Sequence, residues 1–242
     1  MTVTDVNVVK SAIFERPDDA NKGTLGSLLC VCGSYGMAGA AVMSAKGALR
    51  TGIGLAKCAL PRSIYPIVAQ TILESVYYPL SENADGRISK VNVPFLVSES
   101  SKSSATLVGC GLGVCDDTLK IVFSLIENST TPLVLDADAL NCVAKQPEIL
   151  LRKKAPIIIT PHPGEMSRLT GLATPLVNAE RERVALDFTQ KYGVVTVLKG
   201  AGTVIASPNG KVLVNPTGNS GMATGGSGDV LAGMTASILA QG

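Results

Sequence analysis

The 242-residue chain has no tryptophan, five tyrosines, four phenylalanines and one histidine, His162. Aromatics this sparse give no stacking platform for bases, and a formal charge of +2 with dispersed Lys and Arg gives no basic stripe for a phosphate backbone. Structural zinc needs sulfur and imidazole at ligand spacing, which Cys30, Cys32, Cys58, Cys110, Cys115 and Cys142 lack. They read as small buried hydrophobes, with Cys30 and Cys32 on one face of a strand. No apolar run could span a bilayer, and residues 1–17 carry Asp5, Lys10, Glu15 and Arg16 without the apolar centre of a secretory signal. The expectation is a cytoplasmic protein whose partners are small molecules, with no nucleic acid and no membrane.

Two common nucleotide fingerprints are also missing. Gly109-Cys110-Gly111-Leu112-Gly113 follows an apolar run, but Val114 stands where the third glycine of G-x-G-x-x-G belongs. The glycine-dense stretch from Asn215 to Asp229 holds no lysine, nor does the chain beyond it to Gly242, so it is not a P-loop. It does run into the apolar helix pattern Val230, Leu231, Met234, Ile238 and Leu239. Glycines admit an anion close to backbone N–H groups, and a helix start adds free donors and a positive dipole end. Phosphate is the natural guest there, which makes Asp229 out of place unless it has a task. Two readings fit it: a residue that caps the helix or complements its dipole, or a base that takes a proton from an attacking hydroxyl.

Length and an unbroken composition predict one α/β domain. Apolar runs at 25–32, 53–60, 75–78, 105–108, 132–135, 157–160 and 194–198 read as strands. Helix patterns alternate with them from Ala40 to Thr51, from Pro61, and over 91–97, 116–127 and 175–192. Residues 204–206 and 211–214 flank Pro208-Asn209-Gly210 as a hairpin. The first glycine turn, Gly33-Ser34-Tyr35-Gly36-Met37-Ala38-Gly39, leads into a small-residue helix (Ala41, Ser44, Ala45, Gly47, Ala48) that either faces a ligand or packs tightly on the sheet, and Gly109 to Gly113 form the second such turn.

Polar groups gather at strand ends, where open α/β sheets bind ligands. Asp136 and Asp138 would point the same way if their strand continued, and could hold Mg²⁺ through water; an N-cap with a solvated neighbour fits as well. His162 lies between Pro161 and Pro163, as a structural residue or a ligand contact, and Glu165 suits the following helix N-terminus. Glu180, Arg181, Glu182 and Arg183 read as a solvated face. Lys199-Gly200-Ala201-Gly202-Thr203 leaves a strand with groups suited to phosphates or a ribose.

Together Gly39-Ala40-Ala41, Leu135-Asp136-Ala137-Asp138-Ala139-Leu140-Asn141, Thr160-Pro161-His162-Pro163-Gly164-Glu165, Lys199-Gly200-Ala201-Gly202-Thr203 and Gly225-Gly226-Ser227-Gly228-Asp229-Val230-Leu231-Ala232-Gly233 resemble the NAD(P)H-hydrate dehydratase family. The resemblance implies a ribokinase-like three-layer α/β/α sandwich with a mostly parallel central sheet. It also implies ADP-dependent dehydration of the S epimer of hydrated NADH or NADPH, releasing AMP and phosphate, with ATP used in place of ADP by some members. Asp229 then acts as base on the added hydroxyl, whose oxygen attacks the terminal phosphate, and the amides of Gly226, Ser227 and Gly228 match the anion hole. Lys199, Gly200, Ala201, Gly202, Thr203 and Gly228 fall on adenine nucleotide contacts. Ala41, Gly113, His162 and Asp229 fall on hydrated dinucleotide contacts. Glu165 matches a variant of the Asn-x-x-Glu motif of ribokinase-like enzymes and would position Mg²⁺ through water.

Two positions depart from the family pattern: Ser227 where threonine is frequent, and Cys110 where proline is. The resemblance further implies a homo-oligomer, with a tetramer among its forms. Residues 1–242 are read as a single domain with its C-terminal helices truncated, since relatives continue with further helices. A small-molecule kinase of the same fold, and a nucleotide-binding protein without turnover, remain as alternatives.

Overall fold

The computed structural model describes residues 2–3 and 16–242; the polar lead with Asp5, Lys10 and Glu15 lies outside the described residues. Strand β2 (Ser27–Val31) shows why the chain layers as it does. Leu28 and Cys30 face one core and Leu29 and Val31 another, and a strand buried on both sides must lie between two layers. The same holds for β5 (Ala105–Val108) and β6 (Leu133–Leu135): Leu107 and Val134 belong to one core, Val108 and Leu135 to the other. The sheet also contains β1 (Thr2–Val3), β3 (Leu55–Pro61), β4 (Val76–Leu80), β7 (Ile157–Ile159), β8 (Val195–Leu198), β9 (Thr203–Ala206) and β10 (Val212–Asn215). Its order is β1-β10-β9-β8-β7-β6-β5-β2-β3-β4. Strands β2 to β8 are mutually parallel, and β9 runs against both β8 and β10.

One face carries α1 (Ala38–Thr51) and α2 (Tyr65–Thr71). The other carries α3 (Val93–Ser101), α4 (Asp116–Asn128), α5 (Asp138–Val143), α6 (Pro163–Thr170), α7 (Thr174–Ala179) and α8 (Arg181–Tyr192). The last helix, α9 (Ser227–Gln241), lies across α1 on the first face. A Cβ on Gly47 would come within 2.7 Å of the Val230 carbonyl oxygen, and one on Gly233 within 2.0 Å of the Ser44 oxygen, so the two helices touch backbone to backbone. Such an approach admits only small residues. The buried side of α9 is therefore Ala232, Gly233, Ala236, Ser237 and Ala240, while Met234 (41% exposed) and Ile238 (50%) face outward.

Three expectations are corrected. Residues 175–192 form two helices, because the backbone leaves helical geometry at Glu180 (φ −127°, ψ 41°). The strand before Asp136 ends at Leu135 and the chain turns at Ala137 (φ 49°), so Asp136 and Asp138 do not share a strand face. Pro61 closes β3 rather than opening a helix; a 3-10 turn over Arg62–Ile64 comes between.

Candidate active site

Strands β5, β6, β7 and β8 are neighbours, and the residues just past their carboxyl ends are Gly109-Cys110, Asp136, Thr160 and Lys199. Successive connections run outward from β2 in both directions, a switch of order that opens a crevice beside the strand ends. The Gly33 amide donates to the Cys110 carbonyl across this point at 2.8 Å. Gly109 (φ 126°) is required there, since a Cβ would lie 1.9 Å from the Asp136 carbonyl oxygen.

Asp136 is the hub. It is 1% exposed, and its Oδ1 accepts from Lys199 Nζ and Thr160 Oγ1, both at 2.7 Å. A buried carboxylate is tolerable only with such partners. Its Oδ2 accepts from the Cys110 thiol at 3.7 Å. Asp138, at the start of α5, accepts from the Gly113 amide at 2.8 Å and from Asn141 Nδ2 at 3.3 Å, so it fixes the second glycine turn rather than standing solvated.

Asp229 is the third residue of α9, half-buried, and no side chain among the described residues caps that helix. Asp229 makes no cap hydrogen bond, but as the acidic residue of the first turn it complements the helix dipole; among the described residues no side-chain cap takes up the amides of Gly226, Ser227 and Gly228, and the Ser227 amide reaches the Thr224 carbonyl at 3.4 Å. Gly226 adopts φ 88° at the cap position, with Met43 packed where a Cβ would point. Burial, then the nearby Asp136 charge, push the Asp229 carboxyl above the usual aspartate range. A sulfur of Cys110 and one oxygen each of Asp136 and Asp229 lie within 4.8 Å of one another. A buried thiol is a poor partner for Mg²⁺, and the trio suits proton handling better than hard-metal binding.

His162 and Glu165 form a reciprocal cap on α6: His162 Nδ1 accepts from the amides of Gly164 (3.0 Å) and Glu165 (3.3 Å), and Glu165 Oε2 accepts from the His162 amide (2.7 Å). The imidazole is half exposed and Glu165 Oε1 lies 3.4 Å from its Nε2. Lys199 Nζ, 3.9 Å from Glu165 Oε2, links this cap to Asp136. Burial raises the Glu165 carboxyl against the pull of Lys199. With both oxygens so engaged, Glu165 fits a metal through water rather than as a direct ligand.

The Lys199 to Thr203 loop is held by Arg181, whose Nη2 donates to the carbonyls of Leu198 (2.8 Å) and Lys199 (3.0 Å). Arg181 is thus not on a solvated face: its Nε is buried without a hydrogen-bond partner among the described residues, and burial lowers its pKa. A cleft of about 550 Å³ opens beside this loop, lined by Arg181, Ala201, Gly202, Val204 and Val214 among others, and by none of the carboxylates of the hub.

The residues 28–242 match the family model for NAD(P)H-hydrate dehydratase. The chain belongs to the NAD(P)H-hydrate dehydratase family. It is 36% identical over 230 residues to the ADP-dependent (S)-NAD(P)H-hydrate dehydratase of Neisseria meningitidis, covering 94% of this chain and 73% of that one. It is 38% identical over 233 residues to the bifunctional NAD(P)H-hydrate repair enzyme Nnr of Moorella thermoacetica, covering 96% of this chain and 44% of that one. The chain therefore spans less than half the length of such bifunctional relatives. Among solved structures, the ADP/ATP-dependent NAD(P)H-hydrate dehydratase of Bacillus subtilis, co-crystallized with ATP/Mg²⁺, superposes with a TM-score of 0.83 at 31% identity, over 99% of this chain and 81% of that one. A ribokinase-like protein of Enterococcus faecalis superposes at 0.84 with 24% identity, which bears on fold alone. The ribokinase-like α/β/α sandwich expected from the resemblance is the fold observed.

In this family member Asp136 lies between Asp229 and Lys199, and Lys199 carries the chain of contacts on to Glu165, with Gly228 beside them: a Cβ there would lie 3.5 Å from Lys199 Nζ. Ala41 is buried, with its Cβ 3.0 Å from where a Cβ on Gly33 would stand. Gly113 lies behind Asp138, and Thr203 Oγ1 is turned back to the Gly200 carbonyl at 3.0 Å. Sequence patterns missed Cys110, Thr160 and Arg181. The signal for the first two was their place directly after a strand; for Arg181 no local signal exists. No helix of the described residues is long and apolar enough to cross a membrane.

Proposed function

We propose that this chain dehydrates the S epimer of hydrated NADH or NADPH to NAD(P)H, consuming ADP or ATP; with ADP the products are AMP and phosphate. The observation that carries the reading is Asp229: a half-buried carboxylate with raised proton affinity at the start of a helix no side chain caps. In this reading Asp229 takes the proton of the ring hydroxyl as its oxygen attacks the terminal phosphate. The amides of Gly226, Ser227 and Gly228 stabilise the charge that develops there as the rest of the nucleotide leaves, and elimination of phosphate together with a proton from the adjacent ring carbon restores the dihydronicotinamide. Lys199 to Thr203 and Gly228 hold the nucleotide, with the cleft at Ala201 and Gly202 as room for it. Ala41, Gly113 and His162 border the dinucleotide. Mg²⁺ would neutralise nucleotide charge, with Glu165 holding it through water. The nucleotide named for the Neisseria relative, and the ATP and Mg²⁺ of the Bacillus crystals, support this choice of co-substrate and ion.

We carry with this a single domain, a homo-oligomer and a cytoplasmic setting. The test is absorbance at the dihydronicotinamide band when the chain, Mg²⁺ and hydrated NADH are mixed with ADP or ATP. A rise is expected, and Asp229→Asn should lower its rate by about 10²-fold or more. Near-normal turnover in that variant refutes the assignment. A stable phosphorylated product in place of NADH would favour a small-molecule kinase, and nucleotide binding without any reaction a non-catalytic protein.

A further inference from the structure

We propose that the Cys110 thiol is a positioning group for Asp229, its S–H lying between the Asp136 and Asp229 carboxylates and holding the second at a fixed distance from the first. The inference rests on Asp229 acting as the base. It starts from the way Asp136 spends its lone pairs. Oδ1 serves Lys199 and Thr160, which leaves Oδ2 facing Cys110 at 3.7 Å. An Asp229 oxygen lies within 4.8 Å of the Cys110 sulfur and of one Asp136 oxygen. Two carboxylates this close repel in a partly buried site, and a neutral donor between them relieves the repulsion without neutralising either.

The thiol cannot easily leave. Cys110 is fully buried, its carbonyl is held by the Gly33 amide at 2.8 Å, and Gly109 before it donates to the Val31 carbonyl at 3.2 Å. Other acceptors close to the sulfur are the Cys32 sulfur and the Ser44 hydroxyl, whose own proton goes to the Ala40 carbonyl at 2.8 Å. Carboxylates outcompete both as acceptors. The Cys32 contact and burial push the Cys110 thiol well above its ordinary value, so it keeps the proton it donates and is no nucleophile.

Two measurements test this on the full chain. In steady-state dehydration, Cys110→Ala should lower kcat about tenfold with KM unchanged, the size of one hydrogen bond to a charged group, and Cys110→Ser should recover most of the loss. A side chain that only fills space predicts no recovery, because a buried serine without a donor role is no better than alanine. Full kcat in the alanine variant, or equal loss in both, overturns the proposal. The second readout needs no turnover: the infrared S–H stretching band, isolated as wild type minus Cys110→Ser. It should sit at a hydrogen-bonded frequency and shift in Asp229→Asn, where the amide oxygen is the weaker acceptor and the thiol keeps its bond to Asp136. A band that does not respond to Asp229→Asn overturns the proposal. A responding band in a chain without dehydration keeps the contact and instead sinks the dehydratase reading.

Discussion

Replacing Gly233 by alanine sets two effects of known size against each other. In an exposed helix interior the change stabilises by about 1 kcal/mol through backbone entropy. In α9 the added Cβ would lie 2.0 Å from the Ser44 oxygen and 2.9 Å from the Ser44 carbonyl carbon. A normal contact needs roughly 3.5 Å, so α1 and α9 must separate by roughly 1.5 Å. The obstacle is backbone in a helix and cannot rotate away, which puts the cost toward the upper end of the roughly 1–3 kcal/mol typical of overpacking. The net expectation is a loss of about 1–2 kcal/mol, or a Tm lower by roughly 2–8 °C in a chain of this size. Asp229 stands one turn before Gly233, and a displacement near 1 Å at a reacting group costs about 10²-fold in rate. Thermal melts by circular dichroism and the NADH absorbance assay read both effects. Gly39→Ala is the stability control: its Cβ would meet only the Met43 Cε, at 4.0 Å, so no drop in Tm is expected. If Gly233→Ala melts at or above the wild-type temperature with full turnover, the backbone contact does not set the position of Asp229.

Lys199→Met removes one partner of a nearly buried pair and should cost about 3 kcal/mol in urea unfolding, while adding Asp136→Leu should recover part of it; a loss under about 0.5 kcal/mol in the single variant would mean that Thr160 and Cys110 suffice for Asp136. Asp229 is predicted to oppose folding when ionised: a carboxyl raised in the native state contributes stability below its unfolded value and loses it as pH rises through the native one. Asp229→Asn should therefore melt higher than wild type at neutral pH, with the gap closing in acid; a gap constant with pH would refute the raised value. Excess chelator should abolish dehydration and added Mg²⁺ restore it, and activity undiminished by chelation would remove the metal from the reaction.

The strands were legible because each is a short apolar run bounded by glycine or proline, and β2 to β8 formed close to where those runs lie. Residues directly after a strand were legible as a class, which located Asp136, His162 and Lys199. Their pairing was not: Asp136 and Lys199 are 63 positions apart and meet only because β6 and β8 flank β7. Cys110 was read as a small hydrophobe because its burial is legible from residue type while its acidic neighbours come from β6 and α9. Arg181 sat in a charge run whose helical phase looked continuous; the break at Glu180 turns it inward to the Leu198 and Lys199 carbonyls. The outward turn of Met234 and Ile238 was hidden for a different reason, since apolar periodicity assumes that large residues pack and α9 packs through its small ones.

Strand β9 runs against β8 and β10 against β9, so the chain leaves the ligand edge after Lys199, turns at Pro208-Asn209-Gly210, and returns to that edge before the glycine-rich loop. That turn is exposed and stands a strand's length, roughly 13 Å, from the crevice. It offers a place to anchor a dye or a surface linker on a rigid pair of strands. An immobilised chain held there would present the crevice at its strand ends to solution, oriented the same way in every molecule.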